Sequence, residues 1–349
     1  MSYLALYRKY RPQTLSKVLG QPHIVTILKN AIKMGRISHA YLFSGPKGTG
    51  KTSVARILAK EAGCSEIDLM EIDAASSRGI DEIRTLREGV RSYPLQGKVK
   101  VYIIDEVHML TKDAFNALLK TLEEPPTHVI FILATTDREK VPETIISRCQ
   151  DFSFRKIPDD VLRASIISLA KNEGFVFDEE SASLITMLSD GSFRDALGAL
   201  DQALTFSDEN KDKKVTGREL RAFLSIPGRE LVEEFLKAIF IKKREEGLLI
   251  IEKIRDGRED INIFLKLVLR SLRGMLLLAL APRMASDIKK MLGGEEFKFV
   301  EEHKNTLKPN ELEATLLAFL NTYEERERSY MPHLPLELAF LKIVSPEDR

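Results

Sequence analysis

Eight consecutive residues, Gly45, Pro46, Lys47, Gly48, Thr49, Gly50, Lys51 and Thr52, follow the spacing G-x-x-x-x-G-K-[ST]. Glycines at these places let successive backbone N–H groups curl around an anion, and a helix starting at the lysine adds its dipole. In a site of this kind Lys51 reaches the β- and γ-phosphates of ATP, and Thr52 sets its hydroxyl on Mg2+. A chance glycine-rich turn would supply the glycines but not the whole pattern in its strand-to-helix setting. Asp105 and Glu106 form a second feature, an acidic pair closing an apolar run. Such an aspartate holds the magnesium, and the adjacent glutamate polarises an attacking water, which favours hydrolysis over transfer to another substrate. Acids are also common at solvated strand ends, and the pair gains its meaning from the phosphate loop upstream. His108, close behind, reads as a turn or packing residue.

These residues need a rigid frame. Ala40–Gly45 is a short apolar run ending in glycine, and the segment from Lys51 has Val54, Leu58 and Ala62 at helical spacing. Leu69–Ala74 is a second strand candidate and Gly79–Val90 a helix. Lys100–Glu106 and His128–Ala134 have the near-continuous apolar character of buried parallel strands. Between them Phe115, Leu118, Leu119 and Leu122 recur at helical spacing until Pro125 and Pro126. Strand–helix alternation over roughly the first 155 residues predicts a parallel sheet with helices on both faces. After Pro158 strands nearly vanish: a small helical unit runs to about residue 221, with a charged turn at Ser207–Lys214. A larger helical block follows, its breaks marked by Gly257, Pro282, Gly293, Gly294 and Pro309.

Composition narrows the function classes. The chain has 349 residues, 44% hydrophobic and 30% charged, enough for two or three folded domains. A net charge of +1 gives no global field for nucleic acid, so any such contact must come from local basic clusters. Two cysteines, Cys64 and Cys149, suit a reducing compartment and are too few for a disulfide framework. The longest apolar run, Met275–Ala281, falls far short of the roughly 20 residues a membrane span needs. A cytoplasmic location and no membrane partner are therefore expected.

Tyr7–Gln21 (YRKYRPQTLSKVLGQ), HAYLFSGPKGTGKTSVARILAK, VYIIDEVHMLTKDAFNALLKTLEEPP, LATTDREKVPETIISRC and GSFRDALGALDQ occur in that order. Together they resemble the gamma/tau subunits of bacterial DNA polymerase III, the clamp-loader ATPases of the AAA+ class, over about the first 205 residues. The resemblance implies an α/β P-loop AAA+ domain at 1–158, a helical lid at 159–221 and a helical oligomerisation collar at 222–349. It implies an ATPase that opens a sliding clamp and loads it on primer-template DNA within a hetero-oligomeric ring of clamp-loader subunits. It also implies a chain ending where the family's clamp-loading core ends, before any polymerase- or helicase-binding extension. Thr136 corresponds to the residue that senses the γ-phosphate, Arg148 to the arginine finger entering a neighbour's site, and Arg194 to the second sensor on the lid. Arginine suits both roles because its charge is permanent and its donors form a planar fork. From the residues alone, Arg148 reads rather as a helix cap and Arg194 as the partner of a nearby acid. Arg11, Pro12 and Val18 fall in the segment resembling the adenine-side wall, which otherwise reads as a basic strap. Arg78, Arg84 and Thr144 are candidates for contact with the DNA backbone, and Tyr93-Pro94-Leu95 for contact with the clamp.

The sequence departs from the family at one point. A four-cysteine zinc module usually follows the phosphate-loop helix; here Cys64 stands at its first position and the chain runs straight into the next strand. No zinc is expected, because Cys149 cannot complete a site that takes four ligands. Two other functions compete. A non-hydrolysing scaffold subunit of the same assembly would be expected to lack Lys51, and a branch-migration helicase would need strands in the carboxy-terminal third. A P-loop kinase fits less well, since Asp105, Glu106 and Arg148 suit hydrolysis between subunits.

Overall fold

Apolar runs long enough to be buried on both faces become the middle of a sheet, and that sheet positions everything else. The computed structural model describes residues 4–76, 86, 88–207, 213–257, 259–325 and 330–345. They fall into two compact units, Met1–Val215 and Thr216–Arg349.

The first unit opens with helices Leu6–Lys9 (α1) and Pro22–Lys33 (α2), then strand Ala40–Ser44 (β1) and helix Lys51–Glu61 (α3). Strands Leu69–Asp73 (β2) and Lys100–Asp105 (β3), helix Lys112–Glu123 (α4) and strand Val129–Thr135 (β4) follow. A short helix Glu143–Ile146 (α5) leads to strand Gln150–Ser153 (β5). The five strands are all parallel, in the order β2-β3-β4-β1-β5. Every residue of β1 and β4 is buried, as expected for the centre of a parallel sheet covered on both faces. Alternate side chains serve opposite faces. Leu42, Tyr102, Ile104, Phe131 and Leu133 pack with Phe115, Leu118 and Leu122 of α4. Tyr41, Phe43, Ile103 and Ile132 pack instead with Val54 and Leu58 of α3 and Ile24 and Leu28 of α2.

The boundaries correct the sequence reading in detail. β3 ends at Asp105 and not Glu106, because Glu106 turns into the left-handed region at φ 49°. β2 stops at Asp73, and β4 is displaced by one residue to end at Thr135. β5 was not anticipated: only Phe152 of its four residues is buried, so this edge strand carries no apolar run. The helix expected over Gly79–Val90 lies mostly outside the described residues.

Helices Asp159–Asn172 (α6), Glu179–Ser189 (α7) and Phe193–Ser207 (α8) complete the first unit. They are joined by a parallel pair of two-residue strands, Val176–Phe177 (β6) and Lys214–Val215 (β7). The second unit is helical throughout its described residues: Gly217–Phe223 (α9), Arg229–Phe240 (α10), Arg244–Asp256 (α11), Ile261–Leu280 (α12), Ala285–Leu292 (α13), Gly294–His303 (α14), Pro309–Glu325 (α15) and Leu334–Val344 (α16). Its core gathers Phe264, Phe319 and Phe340 around Phe235, with ring centroids 5.1–5.9 Å apart. Among the described residues no helix is long and apolar enough to cross a membrane.

A buried carboxylate closes the corner between α3 and β2. Asp68 accepts hydrogen bonds from Ser65 Oγ at 2.6 Å and from the backbone N–H groups of Leu95, Gln96 and Gly97 at 2.5, 3.0 and 2.6 Å. The Ser65 hydroxyl and, against the effect of burial, these amides hold its carboxyl far below the usual carboxylate range. With the folded value depressed, the stabilisation is complete above the unfolded value of about 3.9 and is lost as pH falls through the folded value. Asp68→Asn should lower the melting temperature near neutral pH, and the gap from the parent should narrow in strong acid. Thermal melts across the acid range check this; a gap independent of pH would dismiss the carboxylate's charge as the cause.

Candidate functional site

The phosphate loop leaves the end of β1, and its bends are built into glycines. Gly45, Gly48 and Gly50 have φ of 137°, 73° and 104°, where side chains are strained. A Cβ on Gly45 would lie 2.2 Å from the carbonyl oxygen of Phe154, and one on Gly48 would lie 1.9 Å from Ser192 Oγ. The loop is therefore enclosed by the chain after β5 on one side and the start of α8 on the other. There Phe193 N–H donates to the Gly48 carbonyl at 3.1 Å. Lys51 is only 6% exposed and donates to the loop's own carbonyls, Gly45 O at 2.7 Å and Pro46 O at 2.9 Å. Burial pulls its ammonium below the usual lysine value, with Glu106 and Asp105 acting the other way.

The end of β3 brings the acids to this loop, and the end of β4 brings Thr136, at the carboxyl edge of the sheet where ligands of parallel α/β folds bind. Thr52 Oγ1 donates to Asp105 Oδ2 at 2.8 Å. Both are oxygen donors, the ligand type a magnesium ion takes. Glu106 accepts at Oε2 from Thr136 N–H at 3.2 Å and Thr136 Oγ1 at 2.8 Å, so the left-handed turn aims it across to β4. His108 Nδ1 bonds Thr135 Oγ1 at 2.9 Å and lies 3.5 Å from Glu106 Oε2.

A cleft of about 650 Å³ opens above the loop, and Lys47 through Thr52, Asp105, Glu106, Arg194, Arg11, Pro12 and Val18 border it. Sequence reasoning passed over Tyr7, Tyr10 and Leu197 on the same walls. The Arg194 guanidinium lies 5.6 Å from the centroid of the Tyr7 ring, and Arg11 Nε donates to Ser53 Oγ at 3.2 Å. Burial first, then neighbouring Arg56, lowers the Arg11 guanidinium from its ordinary value.

Arg148 does not border the cleft. It donates from Nη1 to the carbonyl of Thr144 at 2.7 Å and from Nη2 to Glu123 Oε1 at 2.6 Å, so in the single chain it caps α5. Thr144 is exposed at that cap. Arg78 and Arg84 lie outside the described residues. Tyr93 and Leu95 are 78% and 79% exposed, Tyr93 stacking on His128 at 4.6 Å. Cys64 packs against the α3 face of the sheet and Cys149 against the α4 face. Burial raises both thiols, Cys149 to about 12. Purified protein should hold no stoichiometric zinc by metal analysis; one tightly held ion per chain would overturn that expectation.

The profile described as "DNA polymerase III, delta subunit" matches residues 20–78 and 65–158, and that described as "DNA polymerase III clamp loader subunit, ATPase lid domain" matches residues 163–209. The chain is 36% identical to DNA polymerase III subunit gamma of Buchnera aphidicola subsp. Schizaphis graminum, over 87% of this chain and 89% of that one. The chain belongs to the gamma/tau family of DNA polymerase III subunits. Other gamma/tau relatives are longer. The chain is 37% identical to subunit tau of Bacillus subtilis over 98% of its own length and 63% of the relative's. It is 41% identical to subunit tau of Escherichia coli over 68% of this chain and 40% of that one. It thus spans less than two thirds of these tau relatives. The alignment with the Bacillus protein covers 369 positions, more than the 349 residues present here, so that relative carries internal residues without a counterpart in this chain. Among solved structures, the RuvB Holliday junction branch migration motor of Thermotoga maritima matches with a TM-score of 0.54 at 20% identity. It covers 66% of this chain and 79% of that one, a likeness of fold alone. The architecture is an AAA+ P-loop domain with a helical lid, followed by further helices.

Proposed function

We propose that this gamma/tau-family chain is an ATP-hydrolysing motor subunit of a clamp loader, using ATP to open a ring-shaped sliding clamp and set it on primer-template DNA. The observation that carries the reading is the Thr52–Asp105 hydrogen bond of 2.8 Å, which joins the phosphate loop to the acidic strand end. Lys51 would exchange the Gly45 and Pro46 carbonyls for phosphate oxygens, since the same ammonium donors serve either acceptor. Thr52 and Asp105 would hold Mg2+ with the nucleotide; that ion neutralises charge on the phosphates. Glu106 accepts a proton from the attacking water, and Thr136 governs where its carboxylate points. Arg194 answers from the lid side of the cleft.

The division into an ATPase domain at 1–158, a lid at 159–221 and a collar at 222–349 belongs to the same reading, with other clamp-loader subunits as partners of the collar. Arg148 would serve the site of a neighbouring subunit, and Arg78, Arg84 and Thr144 the DNA backbone. A cytoplasmic location follows from replication in a bacterial cell. The scaffold alternative is disfavoured by Lys51 and Thr52, both present, Lys51 bonded to the loop's carbonyls and Thr52 to Asp105. The test is steady-state ATPase activity of the reconstituted assembly with and without clamp and primer-template DNA. Stimulation by both is expected, and an assembly that never hydrolyses ATP through this chain would refute the motor role.

A further inference from the structure

The amino-terminal segment is a wall of the cleft that lies outside the sheet and packs on α8, where Leu6 is buried. Tyr7, Arg8, Tyr10, Arg11 and Pro12 all border the cleft, yet α1 is a single turn. Three hydrogen-bonded attachments add to that packing. Leu6 N–H donates to Asp201 Oδ2 on α8 at 3.2 Å, and Arg11 bonds Ser53 on α3. The third is Glu173, the residue that ends α6. Its carboxylate takes Lys9 Nζ on both oxygens, at 2.7 and 2.8 Å, and also accepts the Tyr10 hydroxyl. Its own backbone N–H donates to the carbonyls of Leu169 and Ala170 at 3.1 Å, so the carboxylate stands on a fixed helix end.

Glu173 does not border the cleft. We propose that Glu173 is a positioning residue for nucleotide binding, gripping Lys9 and Tyr10 at once and so fastening the amino-terminal wall of the cleft to the end of α6. The inference rests on the reading of the cleft as an ATP site and deepens it: occupancy of the cleft and the placement of α6 become linked through one side chain. A lone exposed ion pair contributes little, because solvent screens it and its side chains lose entropy. Here one carboxylate receives an ammonium and a phenol together, and ionised partners make the stronger hydrogen bonds. Burial, then the bond to Glu173, pushes the Tyr10 hydroxyl up to about 12, so it remains a donor throughout the physiological range. Burial alone would raise the Glu173 carboxyl, but the bonds from Lys9 and Tyr10 outweigh it and bring it below its ordinary value.

The experiment uses the full chain and ATP itself, with affinity measured by calorimetry on Glu173→Ala, Glu173→Gln, Tyr10→Phe and Lys51→Ala. Glu173→Ala should weaken ATP binding roughly tenfold, the scale of one lost charge-assisted contact. Glu173→Gln, which still accepts from Tyr10, should weaken it less, and Tyr10→Phe should move in the same direction. In the reconstituted assembly, KM for ATP should rise while kcat at saturation stays near that of the parent, since no group touching the phosphates has changed. The nucleotide-free melting temperature should hardly move. Unchanged ATP affinity in Glu173→Ala, while Lys51→Ala abolishes binding, would overturn the positioning role and leave the ATP site standing. Unchanged affinity in both would overturn the site itself. A loss of affinity matched by equal destabilisation of the nucleotide-free chain in both Glu173→Ala and Tyr10→Phe would reduce Glu173 to a fold-stabilising residue.

Discussion

In an assembled complex, Arg148→Ala should leave ATP affinity nearly unchanged while DNA-stimulated hydrolysis falls steeply. Arginine fingers supplied by a neighbour contribute roughly 10³–10⁵ in rate in the best-studied cases, by stabilising charge that develops only in the transition state. Arg148 does not border the cleft of its own chain and sits instead at the end of α5. Its pairing with Glu123 at 2.6 Å gives the single chain a resting partner for this cation. Two further assemblies separate finger from cap. Glu123→Ala should preserve most of the activity, because it removes the resting partner and keeps the guanidinium. Mixing Arg148→Ala with Lys51→Ala subunits should restore activity at those interfaces where an intact finger meets an intact loop. No restoration in mixtures that assemble normally would rule out action in trans.

Glu106→Gln should retain ATP binding and lose about 10²–10⁴ of turnover, the usual share of a positioned general base. The amide keeps a carbonyl oxygen for Thr136 and leaves Thr52, Asp105 and Lys51 untouched, so the binding half of the site survives. What it removes is the ability to take a proton from water. The left-handed φ of 49° at this residue adds weight: backbone strain of this kind persists where surrounding structure enforces it. Thr136→Val offers a contrast, since it frees Glu106 of one of its two Thr136 bonds and should alter turnover without abolishing binding. Equal loss of binding and turnover in Glu106→Gln would instead place Glu106 among the nucleotide's ligands.

The centre of the fold was legible and its edges were not, for one physical reason. β1, β3 and β4 are covered on both faces, so their burial appears as unbroken apolar runs in the chain. β5 buries Phe152 alone, and its pairing with β1 is recorded in backbone hydrogen bonds, to which any side chain is compatible. The phosphate loop declared itself because its function needs glycines at fixed offsets, and the structure brings it together with Asp105 and Glu106. Tyr7 and Tyr10 were passed over inside a basic segment. Their neighbours Arg194 and Glu173 come from more than 160 residues away, a distance that leaves no local period to read. Arg148 reads as a cap from its own residues and as a finger only through the family resemblance; the single chain displays the cap, and a finger requires a neighbouring subunit.

The placement of the two cysteines leaves the chain open to labelling at a single chosen position. Cys64 and Cys149 are each partly buried against the sheet, on opposite faces, and both hold their protons more tightly than a free thiol. Since the thiolate is the reactive form, a maleimide dye at neutral pH should largely ignore both. A single cysteine substituted for exposed Leu95 would then be the preferred point of attachment, with no need to strip the native thiols first.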